Sequence, residues 1–386
     1  MHRITIAFAA VTLAFSMAGC PEDDPTPVSF TAVAYNAGLA IGFVPSAEER
    51  APITTQALVD LSADIVCVQE FWTPAHVDGL KTAAAADYPH TLFIDPDVGT
   101  TGPAGCEVAD TEELLTCVTT EGCDQLCGDA VTTCVIANCL DEFTAVTNNA
   151  PECAGCIQAN IGAPIDQIIS TCRSESTEFA FGGSFGIGLL SKYPFAATDE
   201  VILESTTNRR GLLYAEVTVP DLGPVHVVCT HLTAVFSSIP YPKAEGSWEE
   251  EQLVQVNALN ALVDDKAGAT GRALVMGDLN TGPAGPGYIA EAEANYTALM
   301  AAGYSNPYTD TAGHTCTFCG NNALIGNDDS EDAVIDHVLT RNFTGSATTS
   351  RVLDGTIQIT PVCTGVEETT AYSDHYGVSV TFTETP

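Results

Sequence analysis

The feature that most limits the fold of this chain is a set of short apolar runs that each stop abruptly at polar residues. Ile65-Val66-Cys67-Val68 is nearly continuous, as expected of a strand covered on both faces, and it ends at Gln69-Glu70. Val225 to Thr230 ends at His231, and Ala273-Leu274-Val275-Met276 ends at Gly277-Asp278-Leu279-Asn280. The loop that follows, Thr281-Gly282-Pro283-Ala284-Gly285-Pro286-Gly287, can continue neither strand nor helix. Asp278 and Asn280, two residues apart, therefore project on the same side from a strand end. Taken alone, such a stretch is a strand end with an Asx-type turn. A charged Glu70 directly after an apolar run needs either solvent or a cation.

The device recurs along the chain. Ser29 to Tyr35 alternates like a strand and ends at Asn36; Ala333-Val334-Ile335 runs into Asp336-His337 and on through Val338-Leu339-Thr340; the strand Gly377 to Thr383 starts from Asp374-His375. Between these lie predicted helices at Ile53 to Ser62, Val77 to Ala86 and Glu249 to Asp265, and predicted strands at Thr91 to Ile94, Gly188 to Ser191, Val201 to Leu203 and Gly211 to Val219. The glycines of Phe181 to Gly188 resemble a phosphate loop at first sight. No helix with a lysine follows at the required spacing, so that match fails. No repeat or composition break divides residues 30–386, so they are expected to form one domain.

Composition narrows the chemistry. A hydrophobic content of 45% marks a globular chain able to bury a sizeable core. Fifty acidic residues against 12 basic ones give a formal charge of −38, which repels polyanions and argues against a broad nucleic-acid-gripping patch. Cysteine is abundant, with 15 in all, nine of them between Cys106 and Cys172, where there is no Lys or Arg. Residues 99–173 therefore read as a disulfide-stapled insertion of short helices and loops in an exported protein. A metal cluster at Cys123-x3-Cys127 and Cys153-x2-Cys156 is the rival. Nine is odd, so at least one of these cysteines pairs outside the segment or stays free. Cys67 and Cys229 are core thiols or one buried disulfide, and Cys316-Thr317-Phe318-Cys319 reads as a local staple.

Export is also the reading of the N-terminus. His2-Arg3, the apolar run Ile4 to Met17 and the small residues after it predict a signal peptide over residues 1–19, too short to span a membrane. Met17-Ala18-Gly19-Cys20 resembles a bacterial lipobox, which implies lipidation of Cys20 and a membrane anchor. An ordinary cleavage site is the alternative. Residues 20–29 form an acidic, proline-rich tether.

Tyr35-Asn36, Val68-Gln69-Glu70, Gly188 to Pro194, Thr230-His231-Leu232, Gly277 to Asn280, Ile335-Asp336-His337 and Ser373-Asp374-His375 together, in this order, resemble the endonuclease/exonuclease/phosphatase superfamily, the deoxyribonuclease I-like fold. The resemblance implies an α/β (α+β) four-layer sandwich of two packed mixed β-sheets flanked by helices, here with the disulfide-rich insertion. It implies a metal-dependent phosphoesterase using Mg²⁺ or Mn²⁺, with Glu70 as main metal ligand assisted by Asn36 and Asp374. His375 would be the general base or proton-handling group and Asp336 its orienting partner. Asp278 and Asn280 would position the attacking water and the phosphoryl oxygens, and His231 would bond a phosphate oxygen or protonate the leaving group.

The substrate is less constrained. A phospholipid phosphodiester, as for sphingomyelinases, is the first expectation, favoured by the acidic surface and the lipidated Cys20. An extracellular nuclease is the second, since Ser373-Asp374-His375-Tyr376 resembles the secreted deoxyribonucleases; a catalytically inactive binding protein is the third. The pair Arg209-Arg210 faces substrate phosphate or is a solvated turn, and Ala234 to Pro242 is a membrane hairpin, a lid or a plain loop. A monomer is expected.

Overall fold

The computed structural model describes residues 26–94, 101–177, 179–236, 241, 243, 246–311, 313, 315–325 and 332–386. The signal peptide, Cys20 and most of the tether lie outside the described residues, as do 237–240 and 242 of the Ala234–Pro242 segment.

The chain opens with β1 (Val28–Asn36), α1 (Ala47–Asp60), β2 (Ile65–Gln69), α2 (Pro74–Ala84) and β3 (His90–Phe93). β1 and β2 are parallel, so α1 is the crossover between them. The insertion follows: β4 (Thr101–Gly102), α3 (Val108–Thr120), α4 (Ala130–Asn138), α5 (Leu140–Asn149), α6 (Pro151–Ala159), α7 (Ile165–Ser174) and β5 (Ser176–Thr177). β4 and β5 pair antiparallel and close it at its root. Next come β6 (Gly188–Ser191), β7 (Phe195–Ile202), β8 (Gly211–Val219), β9 (Gly223–His231), α8 (Trp248–Ala267), β10 (Ala273–Asp278), α9 (Glu293–Met300) and α10 (Pro307–Asp310). β11 (Asp336–Arg341), β12 (Ser346–Val352), β13 (Thr356–Ile359), β14 (Glu368–Ala371) and β15 (Gly377–Glu384) complete the chain.

Two mixed sheets result, one ordered β12-β15-β1-β2-β6-β3 and the other β11-β10-β9-β8-β7. Their strands send alternate side chains to opposite faces, and this periodicity builds the layers. From β1 and β2, Ala32, Ala34, Ile65 and Cys67 meet Leu213, Val227, Leu274 and Met276 of the second sheet in the central core. The intervening Val33, Tyr35, Val66 and Val68 pack outward on Leu58 and Leu80 of α1 and α2. On the far side, Leu212, Val228, Val275 and Leu339 pack on Val256, Leu259 and Val263 of α8. The order is helix, sheet, sheet, helix, the expected four-layer sandwich. Each fully buried Val, Leu, Ile or Phe side chain contributes about 1.5–3 kcal/mol. A disulfide between Cys67 of β2 and Cys229 of β9 ties the two sheets across this core.

The insertion is held differently. Its small core is built largely around cysteines, and Cys106–Cys153, Cys117–Cys139, Cys123–Cys134 and Cys156–Cys172 join its helices. The odd cysteine, Cys127, reaches out to Cys363 after β13. Cys316–Cys319 is a local staple. Every described cysteine is thus in a disulfide, and the metal-cluster alternative fails.

Three elements differ most from expectation, one being β7, expected at Val201 to Leu203 and observed over Phe195–Ile202. α1 begins at Ala47 and carries Pro52 inside it, because Arg50 in its first turns is bonded into neighbouring loops. β11 starts at Asp336 instead of passing through it; Ala333 pairs only in isolated bridges to Ile289 and Phe318.

Candidate active site

Strand register brings the polar strand ends to one edge. Asn36 pairs with Gln69 across parallel β1 and β2, and Asp278 pairs with His231 across parallel β10 and β9. β11 runs antiparallel to β10, so its first residue, Asp336, lies opposite Asp278. β15 runs antiparallel to β1, which puts the preceding Asp374-His375 at the same edge. Asn36, Glu70, His231, Asp278, Asn280, Asp336, Asp374 and His375 are therefore gathered into one site, although they come from both sheets.

His375 is at its centre. Its Nδ1 lies 3.0 Å from Asp336 Oδ2, and its Nε2 lies 3.8 Å from Asp278 Oδ2. Burial opposes the imidazolium, yet Asp336, Asp278 and Asp374 outweigh it and hold the His375 pKa well above the ordinary histidine value. Asp278, 1% exposed, is pushed up to about 7, chiefly by burial. Its Oδ1 accepts from the Asn280 backbone N–H at 2.9 Å, and its Oδ2 accepts from Asn36 Nδ2 at 2.9 Å. His231 Nε2 lies 3.4 Å from the same Oδ2. Burial, with Arg210 and His375 nearby, holds His231 well below its ordinary pKa, so it is neutral. Its Nδ1 has no partner. The ligand atoms of Asp278, Asp336 and His375 lie within 4.8 Å of one another, but the imidazole fills the space between the carboxylates. His375 thus stands between the two carboxylates, an arrangement suited to passing a proton among the three.

A cation fits a few ångströms away. Glu70 follows β2 in the left-handed region, at φ 63, an uncommon conformation for this residue type. Its Oε1 accepts from Asn36 Nδ2 at 3.1 Å, while its buried Oε2 has no partner. Burial and the neighbouring Asp374 carboxylate raise its pKa. Asp374 is held by the Ser373 hydroxyl, 3.1 Å from its Oδ1. Gly38 makes room for it, since a Cβ there would stand 2.1 Å from that oxygen. Two neighbouring carboxylates, one with an orphaned buried oxygen, suit a hard cation such as Mg²⁺ or Mn²⁺. Asn36 Oδ1 accepts from the Gly38 N–H at 2.9 Å, and its amide nitrogen donates to Glu70 and Asp278. Asn280 Nδ2 donates to the Leu232 carbonyl at 2.9 Å.

Several contributors carry no motif. Arg210 is buried, and its Nε and Nη1 find no partner. Its guanidinium lies 5.8 Å from the Trp72 ring, and burial pulls it down to about 10 against the pull of Glu70, Asp278 and Glu251, so it stays charged at neutral pH. The solvated-turn reading of Arg209-Arg210 is thereby corrected: both are buried, because β8 begins directly after them. Trp72 stacks on Phe181 at 5.0 Å and lies against Gly186, where a Cβ would come within 2.6 Å of its ring. Arg50 donates to the carbonyls of Pro45, Ala37, Gly38 and Tyr372, fastening the loops on which Asn36 and Asp374 sit. Its one visible signal is a lone arginine in a long stretch with few basic residues. The Cys316–Cys319 staple lays Phe318 5.0 Å from the His375 ring, and Thr317 Oγ1 accepts from the Asp336 N–H.

All these groups except Asn36 and Asp336 border or support one cavity of about 1730 Å³, lined by Glu70, Arg210, His231, Asp278, Asn280, Asp374 and His375 and extending under the insertion.

Known proteins agree with this architecture. No curated protein sequence matches the chain. Sphingomyelinase C from Streptomyces griseocarneus has a similar fold at 19% identity and a TM-score of 0.54, covering 92% of this chain and 99% of that one. Beta toxin from Staphylococcus aureus, in a mutant crystallised with bound magnesium ions, is similar at 14% identity and a TM-score of 0.53, with 92% and 99% covered. The family model for the endonuclease/exonuclease/phosphatase family matches residues 46–375. By fold, by site and by that match, the chain belongs to the endonuclease/exonuclease/phosphatase family.

Proposed function

We propose that this chain is an exported, Mg²⁺- or Mn²⁺-dependent phosphodiesterase that hydrolyses a lipid phosphoester by in-line attack of water. The observation that carries it is the buried His375 set between Asp336 and Asp278, in one cavity with the orphaned Glu70 oxygen and the unpaired Arg210 guanidinium. Glu70 and Asp374 would hold the metal, with Asn36 fixing the Glu70 carboxylate. When bound, the metal supplies Lewis-acid polarisation of a phosphoryl oxygen. Beta toxin, of the same fold, holds magnesium ions.

The protein's own groups do the rest. His375 Nε2, in the neutral ring, accepts the proton of the attacking water while Asp336 keeps Nδ1 protonated and the ring in place. Asp278, with its raised pKa, and Asn280 position that water, and Asp278 exchanges protons with His375. Neutral His231 and cationic Arg210 donate to the phosphoryl oxygens as negative charge builds on them. A neutral His231 has no acidic proton to give, so its part is hydrogen bonding to phosphate and the leaving oxygen takes its proton from water. Export is supported by seven disulfides and by the signal-like residues 1–19; lipidation of Cys20 is part of the same proposal. The −38 charge favours lipid over nucleic acid.

The test is a panel with Mg²⁺: sphingomyelin, phosphatidylcholine, plasmid DNA, RNA and bis-p-nitrophenyl phosphate. Lipid and generic diester should both be cleaved, and excess EDTA should abolish cleavage. Cleavage of DNA without lipid would make the chain a nuclease. No cleavage of any substrate would leave a binding protein on this scaffold.

A further inference from the structure

The reaction needs only a pocket for a phosphate and a water, yet the cavity is about 1730 Å³, larger than the roughly 300–1,000 Å³ usual for small-molecule sites. Its far half is made by the insertion. Leu115, Val135, Phe143, Ile157 and Ile165 line it, and Trp72 and Phe181 continue this apolar wall to the catalytic residues. The helix α4 shows why the space stays open. Val131, Val135 and Ile136 are apolar, but no residue of α4 is buried. Cys123–Cys134 ties its middle to the turn after α3 and Cys117–Cys139 ties its C-terminal end to α3, so it keeps its place while only Cys134 and Val135 pack on the insertion's core. Ile136 is 48% exposed in a segment whose other surface residues are mostly polar or acidic. An apolar hollow kept open by covalent staples, and continuous with a phosphoester site, calls for an apolar ligand joined to a phosphate.

We propose that the disulfide-stapled insertion is a chain-binding cap, which takes an acyl chain of the lipid phosphoester while its phosphate sits against Arg210 and His231. This rests on the phosphodiesterase reading above and adds the specificity element to it. Substrate selection would then depend on chain length and occur one molecule at a time, with the lipid drawn out of any bilayer. The acidic exterior of the cap, with no Lys or Arg between Cys106 and Cys172, gives it no attraction for an anionic lipid surface.

The chain has two tryptophans, Trp72 and Trp248, and both line the cavity, so binding can be read without hydrolysis. Hexyl-, decyl- and hexadecylphosphocholine, each below its micelle concentration, would be titrated into the full chain in EDTA while tryptophan emission is followed. Affinity should rise by about fourfold per added methylene until the cavity is filled. Val131→Asp and Ile136→Asp, cavity-lining positions that do not pack on the insertion's core, should abolish that dependence and lower kcat/KM for long-chain lipid at least tenfold. They should leave bis-p-nitrophenyl phosphate hydrolysis within twofold. Val366→Asp, exposed and outside the cavity lining, is the control for charge alone. Affinity that ignores chain length, or cap variants that slow both substrates equally, would overturn the proposal even if the enzyme hydrolyses diesters. Chain-length-dependent binding without any hydrolysis would instead sustain the cap and sink the phosphodiesterase reading.

Discussion

At the scale of single residues, the two buried histidines on either side of the β10–β11 pairing have opposite destinies. His375 has carboxylates on both ring nitrogens and is pulled up; His337, next to Asp336 in the chain, has none on its ring and is pushed down to about 4 by burial. Its Nε2–H donates to the Thr281 carbonyl at 2.8 Å and its Nδ1 faces Asn306 Nδ2 at 3.0 Å, which fixes a neutral ring. A neutral His375 is needed as base, so activity should rise with pH through a value above the ordinary histidine pKa. Asp336→Asn removes one of the charges that raise it; the acid limb of the kcat/KM profile should move to lower pH while kcat falls, and His375→Ala should cost about 10²–10⁴ in kcat. An unmoved limb in Asp336→Asn would show that another group titrates there. His337 acts on stability instead. Its folded pKa is depressed, so its contribution is complete above the unfolded value of about 6.5 and is lost as pH falls toward 4, about 3 kcal/mol in all. His337→Gln, which can keep the bond to Thr281, should flatten that part of the pH–stability curve measured by urea unfolding. The sequence showed Asp336 and His337 as one motif; only the contacts separate the proton-handling residue from its structural neighbour.

At the scale of elements, strands covered on both faces were legible because their apolar runs are unbroken, and β6 and β8 have the boundaries expected. The site was legible for the same reason: polar residues directly after such runs have nowhere else to go than a sheet edge. β12, Ser-Ala-Thr-Thr-Ser-Arg-Val, was not, because it is a mostly exposed edge strand with no apolar face to betray it. Nor was Arg50, whose bond to the Tyr372 carbonyl spans 322 residues and leaves no local pattern. Disulfide pairing was likewise invisible beyond the odd count. The Cys67–Cys229 bridge closes a sequence separation of 162 and contributes about 5 kcal/mol in chain-entropy terms. Replacing both cysteines by alanine should lower the urea midpoint markedly while leaving diester hydrolysis measurable. An unchanged midpoint would mean that the two sheets need no covalent tie.

At the scale of the whole molecule, a single cavity joins a polar floor supplied by two sheets to an apolar roof supplied by the insertion, and Cys127–Cys363 straps that roof to the region after β13. Among the described residues no helix is long and apolar enough to cross a membrane. Under the proposal that Cys20 is lipidated, the direction of β1 matters. Val28 begins that strand beside Glu384, at the sheet end remote from the catalytic edge, and Asn36 ends it at that edge. The nine residues of β1 span roughly 27 Å at about 3.3 Å per residue. A protein moored through its N-terminal tether would thus turn its mouth outward, toward whatever approaches, with its back to the bilayer that carries it. Release from the mooring should then cost nothing: a form beginning at residue 21 should hydrolyse added lipid at the rate of the tethered form. On that proposal the anchored enzyme would act on substrates that come to it from elsewhere, not on the bilayer that holds it.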